Sequence, residues 1–199
     1  MDWGKEYRDL IDNPTVVPYI GELLGEDFRL DHVYLDVIRS GEGPIGTKLY
    51  GGAMPFRSFS YFNFSSGKMH NGLSVVAYNL ADVGSEDGGF GCVPGSHKSN
   101  YRFPQEWEEV NDLPILERVT GPAGTAIIFT EALTHGTLPW KGLSERRTIF
   151  IKYSPPSLSW STHYLDPDDY SGITETQRKI LERPNARYGY RDGPKGTVT

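Results

Sequence analysis

Gly121–Tyr153, GPAGTAIIFTEALTHGTLPWKGLSERRTIFIKY, is the stretch on which the fold turns. Thr125–Thr130 (TAIIFT) and Thr148–Tyr153 (TIFIKY) are short, apolar and β-branched, and turn-forming or charged residues bound them, as expected of strands. His135 follows the first strand at once, on a turn that Gly136 and Pro139 keep from becoming helix. Arg146 stands 11 residues further on, at the opening of the next strand, so antiparallel pairing brings imidazole and guanidinium to one end of a sheet. That pair suits an anionic chelating ligand: a metal takes a bidentate oxo acid, and the arginine takes its far carboxylate through two parallel hydrogen bonds. A surface Arg–Glu pair beside a structural histidine accounts for the same residues.

Outward from this run the period stays that of strands. Leu73–Leu80 (LSVVAYNL), Phe90–Val93 and Leu116–Val119 are each bounded by Gly, Pro, Asp or Asn. From Phe28, the set Leu30, His32, Tyr34, Asp36, Ile38 alternates with Arg29, Asp31, Val33, Leu35, Val37. Both sets contain apolar residues, which predicts a strand covered on both faces. Helical spacing is confined to Lys5–Asn13 and Thr15–Gly25, separated at Asn13-Pro14, to Pro104–Glu109, and to Thr174–Glu182 with Thr174 as N-cap. A Gly-rich break covers Gly41–Gly46, and a Gly- and charge-rich tail starts at Tyr188. The expectation is one mainly β domain over residues 1–199, a sandwich or barrel closed on itself with flanking helices, because all-β domains must protect their edges. Val75, Val76, Leu80, Ile127, Phe129, Ile149 and Ile151 are its expected core.

Composition narrows the partners. Twenty Lys and Arg against 26 Asp and Glu give a net charge of −6, with no basic cluster, which argues against nucleic acid or an anionic membrane and for a small molecule. The single cysteine, Cys92, has no intramolecular disulfide partner and no zinc-type spacing around it. The first residues hold no apolar segment, so a cytoplasmic protein is expected.

None of the five histidines forms an HExxH, HxH or HxD pair. In Gly88–Lys98, GGFGCVPGSHK, paired glycines allow positive φ before a strand, and His97 reads best as a structural cap on the Pro-Gly-Ser turn. A phosphate-binding reading of these glycines fails, since no P-loop lysine spacing or following helix accompanies them.

The order GGF-x-C-V-PGSHK, then Gly121–Phe129, then His135-Gly136-Thr137 and Arg146 resembles the phytanoyl-CoA dioxygenase family of Fe(II)- and 2-oxoglutarate-dependent oxygenases, over roughly Phe28 to Pro155. The resemblance implies a double-stranded β-helix, or jelly roll, with Fe(II) and 2-oxoglutarate as cofactors. It makes His135 the distal iron ligand, Arg146 the partner of the 2-oxoglutarate C5 carboxylate, and Thr137 a hydroxyl near that carboxylate. It also implies oxidation, such as hydroxylation, of a small organic substrate. The family draws its other two ligands from an H-x-D or H-x-E motif, and the matching position reads Tyr50-Gly51-Gly52. Substitute donors are His70, Glu131 and a Tyr50 phenolate. Their plain readings are a loop residue, a partner for Arg146 or Arg147, and a packed aromatic. The alternative function is a non-catalytic jelly roll that has lost iron and still binds a small carboxylate. The acidic balance disfavours a CoA ester. The helical region before the barrel is shorter than is usual in the family, which implies a compact variant or closure by a second subunit as a homodimer.

Overall fold

The computed structural model describes residues 4–40, 48–108 and 113–186. The Gly41–Gly46 break, Glu109 and the tail from Tyr188 lie outside the described residues. The elements in chain order are α1 (Lys5–Arg8), α2 (Val17–Leu24), β1 (Arg29–Ile38), β2 (Phe62–Ser65), β3 (Lys68–Asn71), β4 (Ser74–Asn79), β5 (Gly89–Cys92), β6 (Glu117–Arg118), β7 (Ala126–Thr130), β8 (His135–Leu138), β9 (Arg146–Ser154) and α3 (Glu175–Ile180). Four strands form one antiparallel sheet in the order β1-β9-β4-β7, and three form a second in the order β6-β5-β8. β2 and β3 pair only with each other, and from β6 onward successive strands alternate between the two larger sheets, as in a double-stranded β-helix. Tyr50 extends the second sheet by an antiparallel bridge to His135.

Each sheet face has a separate task. On the outer face of the larger sheet, Val76, Tyr78, Ile149, Ile151 and Tyr153 pack with Ile11, Val16 and Ile20 from the N-terminal segment and Ile180 and Leu181 from the C-terminal one. On the inner face, Val75, Ala77, Ile127, Phe129 and Phe150 meet Phe90 and Cys92 of the smaller sheet. β4 is therefore buried at every residue, which is why its sequence runs apolar without alternation. Each large side chain so buried contributes about 1.5–3 kcal/mol.

Local chemistry sets the boundaries. The first two helices are shorter than their apolar spacing predicts. Asn13 Oδ1 accepts the Thr15 N–H at 3.0 Å and the Asn13 carbonyl accepts the Val16 and Val17 N–H groups, so a side-chain turn replaces helix there. α3 follows its expected cap: Thr174 accepts from the Gln177 N–H and the Gln177 side chain answers to the Thr174 N–H, a full capping box. Pro104–Glu109 contracts to a single 3₁₀ turn, Gln105–Trp107. β2 and β3 form a hairpin without a strong apolar run, turned by Ser66 (φ 52°) and Gly67 (φ 75°), both left-handed as a tight hairpin turn requires. Leu80 is corrected: it is 46% exposed, because β4 ends at Asn79 and the residue lines an open cavity beside Tyr7 and Leu10 rather than the packed core. Among the described residues no helix is long and apolar enough to cross a membrane.

Candidate metal and carboxylate site

Along β9 the alternate residues Arg146, Thr148, Phe150 and Lys152 share one side of the strand. Across the sheet they face Ile38, Asp36, Tyr34 and His32 of β1. From the other sheet, β8 contributes His135 and Thr137, held opposite Cys92 and Phe90 of β5. A cavity of about 160 Å³ lies between them, lined by Tyr34, Asp36, Tyr50, Glu131, His135, Thr137 and Lys152 above Phe90, Phe129 and Phe150. His135 thus opens a strand instead of standing on a turn, because its backbone is paired on both sides, to Cys92 and to Tyr50.

His135 is 2% exposed. Its Nδ1 lies 2.7 Å from the Leu133 carbonyl, which can only accept, so Nδ1 carries the proton and Nε2 keeps a lone pair for a ligand. Burial lowers its pKa, against the opposing effects of Glu131 and the Leu133 hydrogen bond, and so favours the neutral ring. Phe129 meets it edge-on at 4.8 Å and the Tyr50 ring tilts over it at 4.4 Å.

Tyr50 and Gly52 occupy the positions assigned to the missing motif. Gly51 between them has φ 85°, and a Cβ there would stand 2.4 Å from the Leu133 carbonyl oxygen, so the backbone demands glycine. Although Tyr50 is 53% exposed, desolvation of its phenol against the cavity, then the negative charge of Glu131, pushes it up to about 12, which keeps it neutral at physiological pH.

Glu131 is buried, and its backbone is pinned by a bond from its N–H to Leu73 O and one from the Ser60 hydroxyl to its own carbonyl. Its carboxylate accepts from Lys152 Nζ at 2.7 Å. The expected pairing with Arg146 or Arg147 is replaced: Arg147 pairs with Glu145, and Arg146 lies 3.9 Å from Asp36.

Arg146 is 2% exposed, yet its Nε and Nη1 have no hydrogen-bond partner, and neither do the neighbouring Thr148 Oγ1 and the Asn79 side chain. Burial lowers its pKa and nearby Asp36 and Tyr34 raise it. Unmet donors of a buried guanidinium are costly and mark a place where an acceptor belongs. Gly89 lets β5 lie against it, since a Cβ there would sit 3.2 Å from Arg146 Nε.

His70 is not brought to this cavity. It is exposed on β3 opposite Asn63 and lines a separate cavity of about 1000 Å³ beside α2. His97 is also placed differently from its reading as a cap: Ser96 Oγ accepts the Thr134 N–H at 2.7 Å, while the His97 ring meets Phe62 edge-on at 4.7 Å. Among the described residues no group of three His, Cys, Asp or Glu side chains is arranged to hold a metal ion. Of the groups lining this cavity, the His135 Nε2 and the Glu131 carboxylate are the two with metal-donor chemistry, and Glu131 is already paired with Lys152. The carboxylate half of the site fits more fully than the metal half. Sequence reasoning missed Lys152, Tyr34 and Asp36, although counting by twos from Arg146 puts Lys152 on its side of β9.

Comparison with known proteins bears on this geometry. The family model described as phytanoyl-CoA dioxygenase (PhyH) matches residues 53–148, starting just after Gly52. The structure is similar to HygX from Streptomyces hygroscopicus with nickel, 2-oxoglutarate and hygromycin B bound, at TM-score 0.65 and 23% identity, covering 82% of this chain and 71% of that one. The iron-bound form of HygX gives TM-score 0.65 and 22% identity, covering 84% and 74%. AviO1 from Streptomyces viridochromogenes Tue57 gives TM-score 0.54 and 21% identity, covering 79% and 64%. At these identities the likeness is one of fold. No curated protein matches the chain.

Proposed function

Because the chain belongs, over residues 53–148, to the phytanoyl-CoA dioxygenase family, we propose that it is an Fe(II)- and 2-oxoglutarate-dependent oxygenase acting on a small organic substrate at the cavity lined by His135, Thr137 and Lys152. The observation that carries this reading is the buried Arg146 guanidinium, whose Nε and Nη1 have no hydrogen-bond partner. Its role is to take the far carboxylate of 2-oxoglutarate, with Thr137 beside it. His135 and Glu131 would hold the metal, which when bound couples oxygen activation to decarboxylation of the oxo acid. HygX, with which the fold is shared, binds nickel, iron, 2-oxoglutarate and the small molecule hygromycin B, and this supports the same classes of ligand here. The rim supplies aromatic surface for a substrate: Tyr34 stacks on Phe150 at 4.9 Å, and His32 on Trp160 at 4.9 Å.

Anaerobic titration calorimetry with Mn(II) or Co(II), with and without 2-oxoglutarate, tests this. Weak metal binding alone and clearly tighter binding with 2-oxoglutarate are expected, because affinity coupling is reciprocal. Tyr50, Gly52 and the lysine-held Glu131 favour a second reading, a carboxylate-binding jelly roll without redox function. No metal uptake at saturating 2-oxoglutarate, with dicarboxylate binding intact, establishes that second reading over the first.

A further inference from the structure

The cavity of about 1000 Å³ that His70 lines is built by three elements: α2 with the residues after its C-cap, the β2–β3 hairpin, and the 3₁₀ turn Ser96–Lys98. Its size falls at the upper end of the range for small-molecule sites. Leu23, Leu24, Phe62, Phe64 and Met69 supply apolar surface, and Phe64 is 63% exposed. Asn71 stands on the wall at 2% exposure; its Nδ2 donates to Leu23 O at 3.1 Å, and its enclosed Oδ1 has no hydrogen-bond partner. Such an acceptor marks a place where a donor belongs. The His97 Nδ1 is likewise unmet, and burial, then Lys98, lowers the pKa of that ring, which favours its neutral form.

Charge in this cavity divides by element. Glu22 and Glu26 come from α2 and the segment after it, where the helix carbonyls add partial negative charge and the last turn holds no basic residue. Lys68 and His70 come from β3, and Lys98 from the 3₁₀ turn. All five line one cavity, yet among the described residues no ion pair joins these acids to these bases. We infer that the cavity is a second binding site whose ligand is a free apolar α-amino acid: its ammonium lies toward Glu22, Glu26 and Asn71, its carboxylate toward Lys68 and Lys98, and its side chain against Phe62 and Met69. A dicarboxylate would meet the two glutamates, a simple cation would meet the lysines, and a purely apolar molecule would leave both sets of charges and Asn71 unanswered. A zwitterion with an apolar body meets each group with its complement. Neither His135 nor Arg146 lines this cavity, so the inference is independent of the metal and of the oxygenase reading.

L-Phenylalanine is the probe. An NMR titration of the isotope-labelled wild-type chain with it, in the absence of metal, is expected to give saturable shifts at the amides of Leu23, Leu24, Phe62, Met69 and His97. Phenethylamine, which lacks the carboxylate, and 3-phenylpropionate, which lacks the ammonium, are each expected to bind about tenfold more weakly, the scale of one charge-assisted contact. The charged side chains belong to exposed residues, so they can be changed without touching the core. Lys68→Gln combined with Lys98→Gln should weaken L-phenylalanine about tenfold and leave phenethylamine within about twofold of wild type, because two partly solvated pairs are lost for the first ligand and none for the second. Glu22→Gln combined with Glu26→Gln should weaken L-phenylalanine likewise and spare 3-phenylpropionate. Saturating 2-oxoglutarate should alter none of these affinities. No saturable shift with L-phenylalanine, equal binding of the three probes, or indifference to both charge variants overturns the inference. Shifts confined to the surroundings of His135, or displacement by 2-oxoglutarate, overturn it by assigning the probe to the other cavity. A chain that takes up neither metal nor 2-oxoglutarate, yet binds the probes in this order, defeats the oxygenase reading and bears this inference out.

Discussion

Tyr50 and His135 exchange both backbone hydrogen bonds, Tyr50 N–H to His135 O at 2.8 Å and His135 N–H to Tyr50 O at 2.9 Å, and their rings lie 4.4 Å apart. A side chain at position 50 therefore faces the imidazole from the adjoining edge of the sheet. This is the relation that lets two residues share one metal ion, and here a neutral phenol fills one half of it.

Exchanging that phenol for an imidazole restores a nitrogen donor without touching the backbone pairing. Tyr50→His is expected to raise Mn(II) or Co(II) affinity, measured without cosubstrate, by about 10–100-fold, the range over which even outer partners of a metal site alter affinity. An unchanged affinity in a folded variant removes His135 from the metal site. A carboxylate at position 52 is a harder repair, since Gly52 has φ 86° and a Cβ there would stand 3.1 Å from Thr134 Oγ1.

The core gives a paired expectation. Ile151 is fully buried between β9 and the helices, so Ile151→Ala should cost about 2–5 kcal/mol in urea unfolding. Leu80→Ala, at an exposed position in the same class of apolar run, should stay within about 0.5 kcal/mol. Equal costs would show that Leu80 is covered in solution.

Much of this architecture is legible in residue order. TAIIFT, TIFIKY and LSVVAYNL are strands because their β-branched runs are bounded by turn formers, and Thr174 caps a helix because Gln177 stands three residues on. What was not legible follows from tertiary contacts. Leu80 resembles Val76 in sequence, and only the end of β4 distinguishes them. The β2–β3 hairpin has alternate exposed polar residues and is specified by its turn. At the site, His135 and Arg146 stand out by spacing from a strand end. The Glu131–Lys152 pair joins two elements, and no local pattern announces it. His70 has metal-ligand chemistry, but the hairpin carries it to another cavity.

Asp31 sets an acid limit to stability. Burial alone raises its pKa, but the contact with His32 at 2.7 Å and bonds from the Trp160 and Ser161 N–H groups more than offset this and hold the carboxyl below its usual value. Unfolded, it titrates near ~3.9. As pH falls through that value the unfolded chain takes up the proton first, so the stabilisation present at neutral pH is lost as the folded value is approached. Urea midpoints from pH 7 to pH 3 should fall more steeply for wild type than for Asp31→Asn. Parallel slopes would mean that the carboxyl does not titrate differently in the two states.

Arg146 provides the last prediction, which depends on geometry more than charge. Its guanidinium is buried beside Thr148 and Asn79, with Asp36 at 3.9 Å, too far to saturate it, and Nε and Nη1 unmet. A carboxylate can meet two of its N–H groups in one plane, whereas a lysine at the same place offers a point charge on a flexible stem that cannot match both oxygens. Arg146→Lys should therefore weaken 2-oxoglutarate binding by about 1.5–3 kcal/mol while leaving the net charge unchanged. Arg146→Met should weaken it further, because it removes both the charge and the N–H groups that meet the carboxylate. Calorimetry with 2-oxoglutarate and with glutarate, which lacks the oxo group, separates the two ends of the ligand. The loss on Arg146→Lys should be the same for both, since this residue meets only the far carboxylate. Equal binding of 2-oxoglutarate by wild type and Arg146→Lys would refute the assignment, and a loss confined to 2-oxoglutarate would move Arg146 to the metal end of the cavity.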